Sequence, residues 1–119
     1  DGRVTLLGDA AHPMYPVGSN GASQAILDAR ALADLLVQNG DVPSALAAYE
    51  ASRLPATAQV VALNRKGGPE GVIDEVERRA PEGFADLDAV ITPAERHMIV
   101  RGYAATAGFS QDQTRLRRA

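Results

Sequence analysis

The chain has 119 residues, of which 45% are hydrophobic and 23% charged, and its formal net charge is -3. This length gives one domain with a modest core, and the acidic balance argues against a nucleic-acid partner held by phosphate neutralisation. The absence of cysteine excludes disulfides, thiolate metal sites and a cysteine nucleophile. No apolar run reaches the ~20 residues needed to span a bilayer. We therefore expect a cytoplasmic protein with neither a membrane nor a nucleic-acid partner.

The first predicted element is a short strand over residues 3–7, where the sequence Arg-Val-Thr-Leu-Leu is apolar and β-branched. Such a run suits a strand buried on both faces, as in a parallel sheet. A loop rich in proline and glycine follows, from Gly8 to about Gly21. Apolar residues at helical spacing then predict a helix to about Gln38, which we expect to be packed on most of its sides.

The remainder of the chain is predicted to be helical. Residues 44–66 have helical character, and Pro55 in their middle should kink or divide the helix because it removes a backbone donor. A third helix is predicted over residues 70–80. Thr92, followed three residues later by Glu95, is typical of a capping box that opens a last helix ending near Gly108.

A single strand cannot satisfy its own backbone hydrogen bonds. It implies a sheet supplied either by another chain or by a longer protein of which this sequence is a piece. We therefore expect an α/β fold to which this chain contributes a C-terminal fragment, one strand followed mostly by α-helices. Residues 1–38 would complete a sheet-containing domain, residues 39–110 would form a helical segment, and residues 111–119 would be a flexible tail.

The most informative stretch is GDAAHPMYPVGSNGAS, residues 8–23. Ligands of open α/β sheets bind at the carboxyl ends of strands, and a carboxylate there, such as Asp9, can accept hydrogen bonds from sugar hydroxyls. The N-terminus of the following helix has unpaired N–H groups that favour an anionic ligand atom. Gly18 and Gly21 allow the backbone to approach a flat ligand closely. Together these features predict a site for a ligand with a sugar and an electron-accepting part.

The sequence GDAAHPMYPVGSNGASQAILDA resembles the second flavin fingerprint of the class A flavoprotein monooxygenases, the aromatic-hydroxylase type, and most of all their phenazine monooxygenase branch. The resemblance implies an FAD- and NAD(P)H-binding fold, with residues 1–38 as the end of the FAD-binding domain. The implied activity inserts one oxygen atom of O2 into an aromatic substrate, with NADH or NADPH as reductant. The implied partners are FAD, a small aromatic substrate and the missing N-terminal part of the chain. A homodimer is an open alternative, which rests on the unpaired strand and the apolar helix faces.

The resemblance also implies roles for individual residues. Asp9 would bind a ribityl hydroxyl of FAD, Gly8 would let the chain turn beneath it, and Pro16 would lie beside the isoalloxazine ring. Amides at the helix start would face flavin N1 and O2, where the reduced ring holds negative charge. The implied cofactor contacts are Gly8, Asp9, Pro16, Gly18, Ser19, Asn20, Gly21, Ala22 and Ser23. Ser23 replaces an Asn that is common in the family, and no catalytic acid or base is assigned.

Alternatives remain for the polar residues and for the function. Asp9 and His12 are too few to ligate a metal, so we expect no metal site and a loop histidine that bonds to backbone. Asp28 and Arg53 are expected to form ion pairs or backbone contacts. The isolated chain is expected to be inactive, because half of the flavin site is missing from it. The alternative function is a catalytically silent helical module that dimerises or completes another chain's sheet.

Overall fold

The computed structural model describes residues 2–110, so the predicted tail at 111–119 lies outside the described residues. None of the helices within residues 2–110 combines the length and the apolar character that a membrane span requires. Within residues 2–110, five α-helices are separated by loops that contain short 3-10 turns at Gly8–Ala10, Val17–Ser19 and Gly68–Glu70. The helices are α1 (Gly21–Gln38), α2 (Val42–Asn64), α3 (Gly71–Arg79), α4 (Leu87–Val90) and α5 (Pro93–Ala107).

The strand predicted at residues 3–7 is not formed, and residues 2–110 contain no sheet. Leu7 has the extended dihedral angles of a strand, φ -148 and ψ 154. A strand needs a neighbour for its ladder of hydrogen bonds, however, and all other elements of the described chain are helical. Only isolated contacts fix the segment, such as the 3.2 Å bond that the Tyr49 hydroxyl donates to the carbonyl of Leu6. The predicted α/β class is therefore corrected to a helical structure for these residues.

The prediction was that Pro55 kinks or divides the helix. Division is wrong, because α2 runs through Pro55 without a break, and a kink stays a prediction. The proline removes one donor from a helix of 23 residues. Near it, the Thr57 hydroxyl donates to the carbonyl oxygens of Arg53 and Leu54 at 3.0 and 3.3 Å. The helix begins at Asp41, whose carboxylate accepts a hydrogen bond from the Ser44 amide. The helix therefore tolerates the loss of one backbone hydrogen bond at Pro55, because its other hydrogen bonds, its cap and its packing stabilise it.

The predicted capping box at the start of α5 is confirmed. The Thr92 hydroxyl accepts a hydrogen bond from the amide of Glu95, whose carboxylate in turn accepts one from the Thr92 amide. The helix ends at Gly108, which has the left-handed φ of 82° that stops a helix. Both ends of α5 were therefore predicted correctly from short local signals, the capping box at its start and the glycine at its end.

The helices form a thin layer of 61 × 32 × 17 Å. Helix α1 packs along α2, and α5 packs on α2 and on the turn at Gly68–Glu70. The small core contains Val60, Tyr103 and Ala107, with Met14 and Leu63 against them. Packing of α1 on most sides is not found within residues 2–110, since Ile26 and Val37 are 70% and 87% exposed. Helix α1 buries its polar residues Gln24 and Asp28 instead.

Candidate functional site

A cleft of about 380 Å³ opens at the N-terminus of α1. Its acidic wall is Asp9, which is exposed and has its Oδ1 atom 3.8 Å from the position that a Cβ on Gly21 would take. Apolar residues of the loop line another side of the same cleft. Six of the predicted cofactor residues line it, namely Asp9, Pro16, Ser19, Asn20, Gly21 and Ala22, together with Pro13, Met14 and Tyr15. The structure therefore brings the carboxylate and the helix end to one place.

Three predicted cofactor residues do not line this cleft. Gly8 is buried beneath it and donates its amide to the carboxylate of Asp28 at 3.0 Å. Gly18 packs against the ring of Tyr103, and Ser23 is exposed on the first turn of α1. Gly8 and Gly18 therefore support the cleft through their backbone. Direct contact of Gly8, Gly18 or Ser23 with a cofactor stays a prediction.

The turn at Val17–Ser19, called here the Gly18 turn, has an unusual backbone. Gly18 and Ser19 follow one another with φ of 72° and 48°, and Ser19 is the one non-glycine residue with positive φ in the described chain. Left-handed backbone costs a non-glycine residue roughly 1–3 kcal/mol and concentrates at functional sites. The Ser19 amide closes the turn by donating to the Pro16 carbonyl at 3.1 Å. The strain directs the chain sharply into α1.

The first turn of α1 presents amide groups without internal acceptors. Its N-cap residue, Asn20, makes no side-chain cap bond, and no acidic residue lies in the first turn. The Gln24 amide donates to the Asn20 carbonyl at 3.0 Å, whereas the amides of Gly21, Ala22 and Ser23 precede the helical hydrogen-bond ladder. These donors and the helix dipole give this end of the cleft a partial positive charge.

The side chain of Asn20 lies behind the surface of the cleft. It is only 2% exposed, and its Nδ2 atom is fully buried. It interacts with the hydroxyl of Tyr103, which donates to Asn64 Oδ1 at 2.8 Å. The Asn20 amide therefore links the start of α1 to α5.

A buried ionic cluster lies directly behind the cleft. The carboxylate of Asp28, which is 0% exposed, accepts hydrogen bonds from His12 Nε2 at 2.5 Å and Arg53 Nε at 2.7 Å. Burial alone would raise the pKa of Asp28, but the bonds from His12, Arg53 and the Gly8 amide outweigh it and hold the pKa below its usual value. The cluster keeps Gly8, and with it Asp9, in a fixed place relative to α1.

The cluster tests three expectations. The ion pairing predicted for Asp28 and for Arg53 is confirmed. The expectation that His12 bonds to backbone through its side chain is wrong for Nε2, which bonds the Asp28 carboxylate. The sequence marked Asp28 as a charged residue on a largely apolar helix, but it did not show that His12 would be its partner. Within residues 2–110 no group of three or more histidine and acidic side chains is placed to hold a metal ion.

Comparison with known families assigns the amino-terminal half of the chain. A family model described as an FAD binding domain matches residues 1–64, which is more than half of the sequence. The chain belongs to the FAD binding domain family. The match includes the cleft, the ionic cluster, α1 and α2, whereas α3, α4 and α5 lie beyond it.

Relatives among curated proteins are aromatic hydroxylases and monooxygenases. A phenazine 1,6-dicarboxylic acid hydroxylase of Lysobacter antibioticus is 52% identical over 103 residues, 86% of this chain and 25% of that protein. A 3-amino-4-hydroxybenzoate 2-monooxygenase of Streptomyces platensis is 53% identical over 70 residues, 58% of this chain and 18% of its own. A 3-hydroxybenzoate 6-hydroxylase of Polaromonas naphthalenivorans is 41% identical over 95 residues, 71% of this chain and 24% of its own.

These matches confirm the predicted resemblance to class A flavoprotein aromatic monooxygenases. This member of the FAD binding domain family spans about a quarter, or less, of the length of the curated relatives described above. No solved structure matches the chain.

Proposed function

We propose that this chain is the C-terminal part of an FAD-dependent monooxygenase that inserts one oxygen atom of O2 into an aromatic substrate, with NADH or NADPH as reductant. The observation that carries the proposal is the cleft at the start of α1, where the carboxylate of Asp9 and the free helix amides converge. Membership of the FAD binding domain family supports FAD as the ligand. When bound, FAD would supply the redox chemistry that activates O2.

The residues of the cleft divide the work of holding FAD. The exposed carboxylate of Asp9 accepts hydrogen bonds from the ribityl hydroxyls. The amides of Gly21 and Ala22 and the dipole of α1 favour negative charge on the pyrimidine edge, an effect of ~0.3–1 kcal/mol at exposed helix ends and up to ~2 kcal/mol where partly buried. Pro16, at the rim, packs against the flat ring. These residues bind and orient the cofactor, and the acid or base chemistry falls to other parts of the protein.

An aromatic acid is the substrate class that we propose. The names of the relatives include a phenazine dicarboxylic acid and two hydroxybenzoates. In this chain the residues Pro13, Met14 and Tyr15 line both the cofactor cleft and a neighbouring cleft of about 250 Å³. A flat ring suits that apolar wall, and Arg65 in the second cleft supplies a cation for a carboxylate.

The decisive experiment measures FAD affinity of the Asp9→Ala variant of the full-length protein by reconstitution of the apoprotein. A hydrogen bond to a charged group contributes ~1.5–3 kcal/mol, so the dissociation constant should rise at least about tenfold. The fold should be unchanged, because Asp9 is exposed. Asp34→Ala is the matched control, since Asp34 is an aspartate of α1 outside the cleft. Unchanged affinity in Asp9→Ala would contradict the role proposed for this carboxylate.

The second candidate function is the silent helical module that pairs with another chain. Its supporting observation is the exposed apolar surface of Val4, Leu6 and Val37 within the described chain, with 82%, 58% and 87% exposure. This hypothesis predicts a dimer of the 119-residue chain in light scattering, together with no flavin in the full-length protein. A flavin spectrum of the purified full-length protein would favour the monooxygenase, and a monomeric chain would contradict the module.

A further inference from the structure

We propose that Tyr103 of α5 is a positioning residue that holds the Gly18 turn, and hence the amides at the start of α1, in place for FAD. The inference rests on the proposed function. It extends the cofactor site to a helix that lies beyond the family match, which ends at residue 64.

The side chain of Tyr103 contacts the backbone of Gly18 directly. A Cβ atom on Gly18 would lie 2.5 Å from the Tyr103 hydroxyl oxygen and 2.7 Å from its Cζ atom. Real side chains do not approach so closely, so the ring and its hydroxyl press directly on the backbone of the turn. Gly18 also needs its φ of 72°, which disfavours any residue with a Cβ atom. The turn and the tyrosine therefore determine each other's position.

The hydroxyl of Tyr103 is itself held in place by a hydrogen bond to α2. It donates a 2.8 Å hydrogen bond to Asn64 Oδ1 at the end of α2, and the residue is only 4% exposed. Burial and the nearby charge of Glu70 raise the pKa of Tyr103, against the smaller opposing effect of the Asn20 and Asn64 amides. The hydroxyl therefore stays protonated and remains a donor. Asn20 lies on its other side, at the N-cap of α1.

Two further contacts join the same region to the Gly18 turn. Glu70 accepts a hydrogen bond from the Gly18 amide at 3.2 Å, across 52 residues of sequence. Beside it, Gly68 approaches Val17 so closely that a Cβ atom on Gly68 would lie 2.9 Å from Val17 Cγ1. The turn is thus enclosed by residues that all follow the family match.

Helix α5 also contacts α1 directly, through a hydrogen bond. Gln24, in the first turn and a half of α1, donates its Nε2 to the carbonyl of Ala107 at 2.8 Å and is 1% exposed. Helix α5 therefore contacts the loop before α1 through Tyr103, and α1 itself through Ala107. A shift of α5 would move the strained turn and the helix amides together, and these are the groups proposed to face the flavin.

The test uses Tyr103→Phe in the full-length protein, because phenylalanine keeps the ring and removes only the hydroxyl. Amide hydrogen exchange over residues 16–20 should become faster. FAD should bind about five- to tenfold more weakly, the effect of one hydrogen bond of ordinary strength. The reduced flavin needs the aligned amides more than the oxidised form does. If it loses tenfold more affinity, the midpoint potential falls by about 30 mV.

Tyr49→Phe is the matched control, because Tyr49 is also a buried tyrosine whose hydroxyl bonds a carbonyl, but it lies away from the turn. It should leave amide exchange at the turn unchanged. Equal loss of stability in the two variants with an undisturbed turn would overturn the proposal. So would a loosened turn with unaltered flavin affinity and potential. A loosened turn in a full-length protein that carries no FAD would support the mechanical role of Tyr103 and refute the proposed function instead.

Discussion

Replacing Asp28 with asparagine should lower the free energy of unfolding of the full-length protein by about 3 kcal/mol. The carboxylate is 0% exposed and accepts hydrogen bonds from His12, Arg53 and the Gly8 amide. Asparagine has nearly the same shape, so the change removes charge with little loss of volume. The variant therefore isolates the electrostatic part of the cluster.

The magnitude follows from what the substitution leaves behind. Removing one partner of a buried ion pair costs ~3–5 kcal/mol, because the other charge remains buried without compensation. The Arg53 side chain is 15% exposed, and its Nη2 keeps a second acceptor, Gln24 Oε1, at 2.7 Å. Partial contact with water and this remaining bond place the cost at the lower end of the range. His12 loses its partner as well, so a smaller cost than this is not expected.

The assay is urea unfolding followed by circular dichroism, with Asp34→Asn as the control. Asp34 also pairs with an arginine on α1, but both side chains are largely exposed, 45% for the aspartate and 77% for Arg30. Such a pair contributes only ~0–1 kcal/mol. A cost for Asp28→Asn that is no larger than for Asp34→Asn would refute the reasoning, because it would mean that the buried charge is not needed.

The same comparison has a predicted pH dependence. The pKa of Asp28 is lowered in the folded state from its ordinary value of 3.8. Its contribution to stability is therefore present above about pH 4 and is lost as the pH falls through the folded-state pKa. The difference between wild type and Asp28→Asn should shrink below pH 4.

Three other predictions concern local structure. Gly18→Ala should lower the free energy of unfolding, measured in urea, by about 2 kcal/mol or more and should reduce FAD retention. The reason is that Gly18 has a φ of 72° and that a Cβ atom there would meet the Tyr103 hydroxyl. Gly40→Ala is the control and should lower the free energy of unfolding by less than ~0.5 kcal/mol, because there is open space around Gly40. Thr92→Ala should cost about 1 kcal/mol by the same assay, and Thr92→Ser should restore most of it, since the serine hydroxyl can accept the same cap bond. The hydrogen bond from Arg78 helps to lower the pKa of Glu75 to about 2, so Arg78→Gln should raise that pKa in an NMR titration of the side-chain carboxyl; no change would contradict the pairing.

The features predicted correctly from sequence are those whose causes lie close together in the chain. Thr92 and Glu95 are three residues apart, and the cap bonds between them define the start of α5 whatever surrounds it. The Gly-rich loop that opens α1 is likewise local. The motif of residues 8–29 identified the family because the chemistry of the cofactor site is concentrated in that single stretch.

The features that were wrong or missed depend on distant partners. Residues 3–7 have strand propensity, but propensity does not form a ladder without a neighbouring strand. The His12–Asp28 bond joins residues 16 apart, and nothing in the sequence shows which polar group Asp28 will meet. The packing of Tyr103 against Gly18 spans most of the chain. It could not be inferred, because α5 carries no motif that links it to the loop.

The bond between Gln24 and Ala107 also has a consequence for how the protein is made. Its two residues are 83 positions apart, and at synthesis rates of ~5–20 residues per second Ala107 is added roughly 4 to 17 seconds after Gln24. During that interval α1 and the Gly18 turn lack the helix that fixes them in the folded protein. FAD that binds before α5 is synthesised would contact a Gly18 turn that α5 does not yet stabilise. Cofactor loading of this segment is therefore expected to follow translation of α5 instead of accompanying translation of the fingerprint itself.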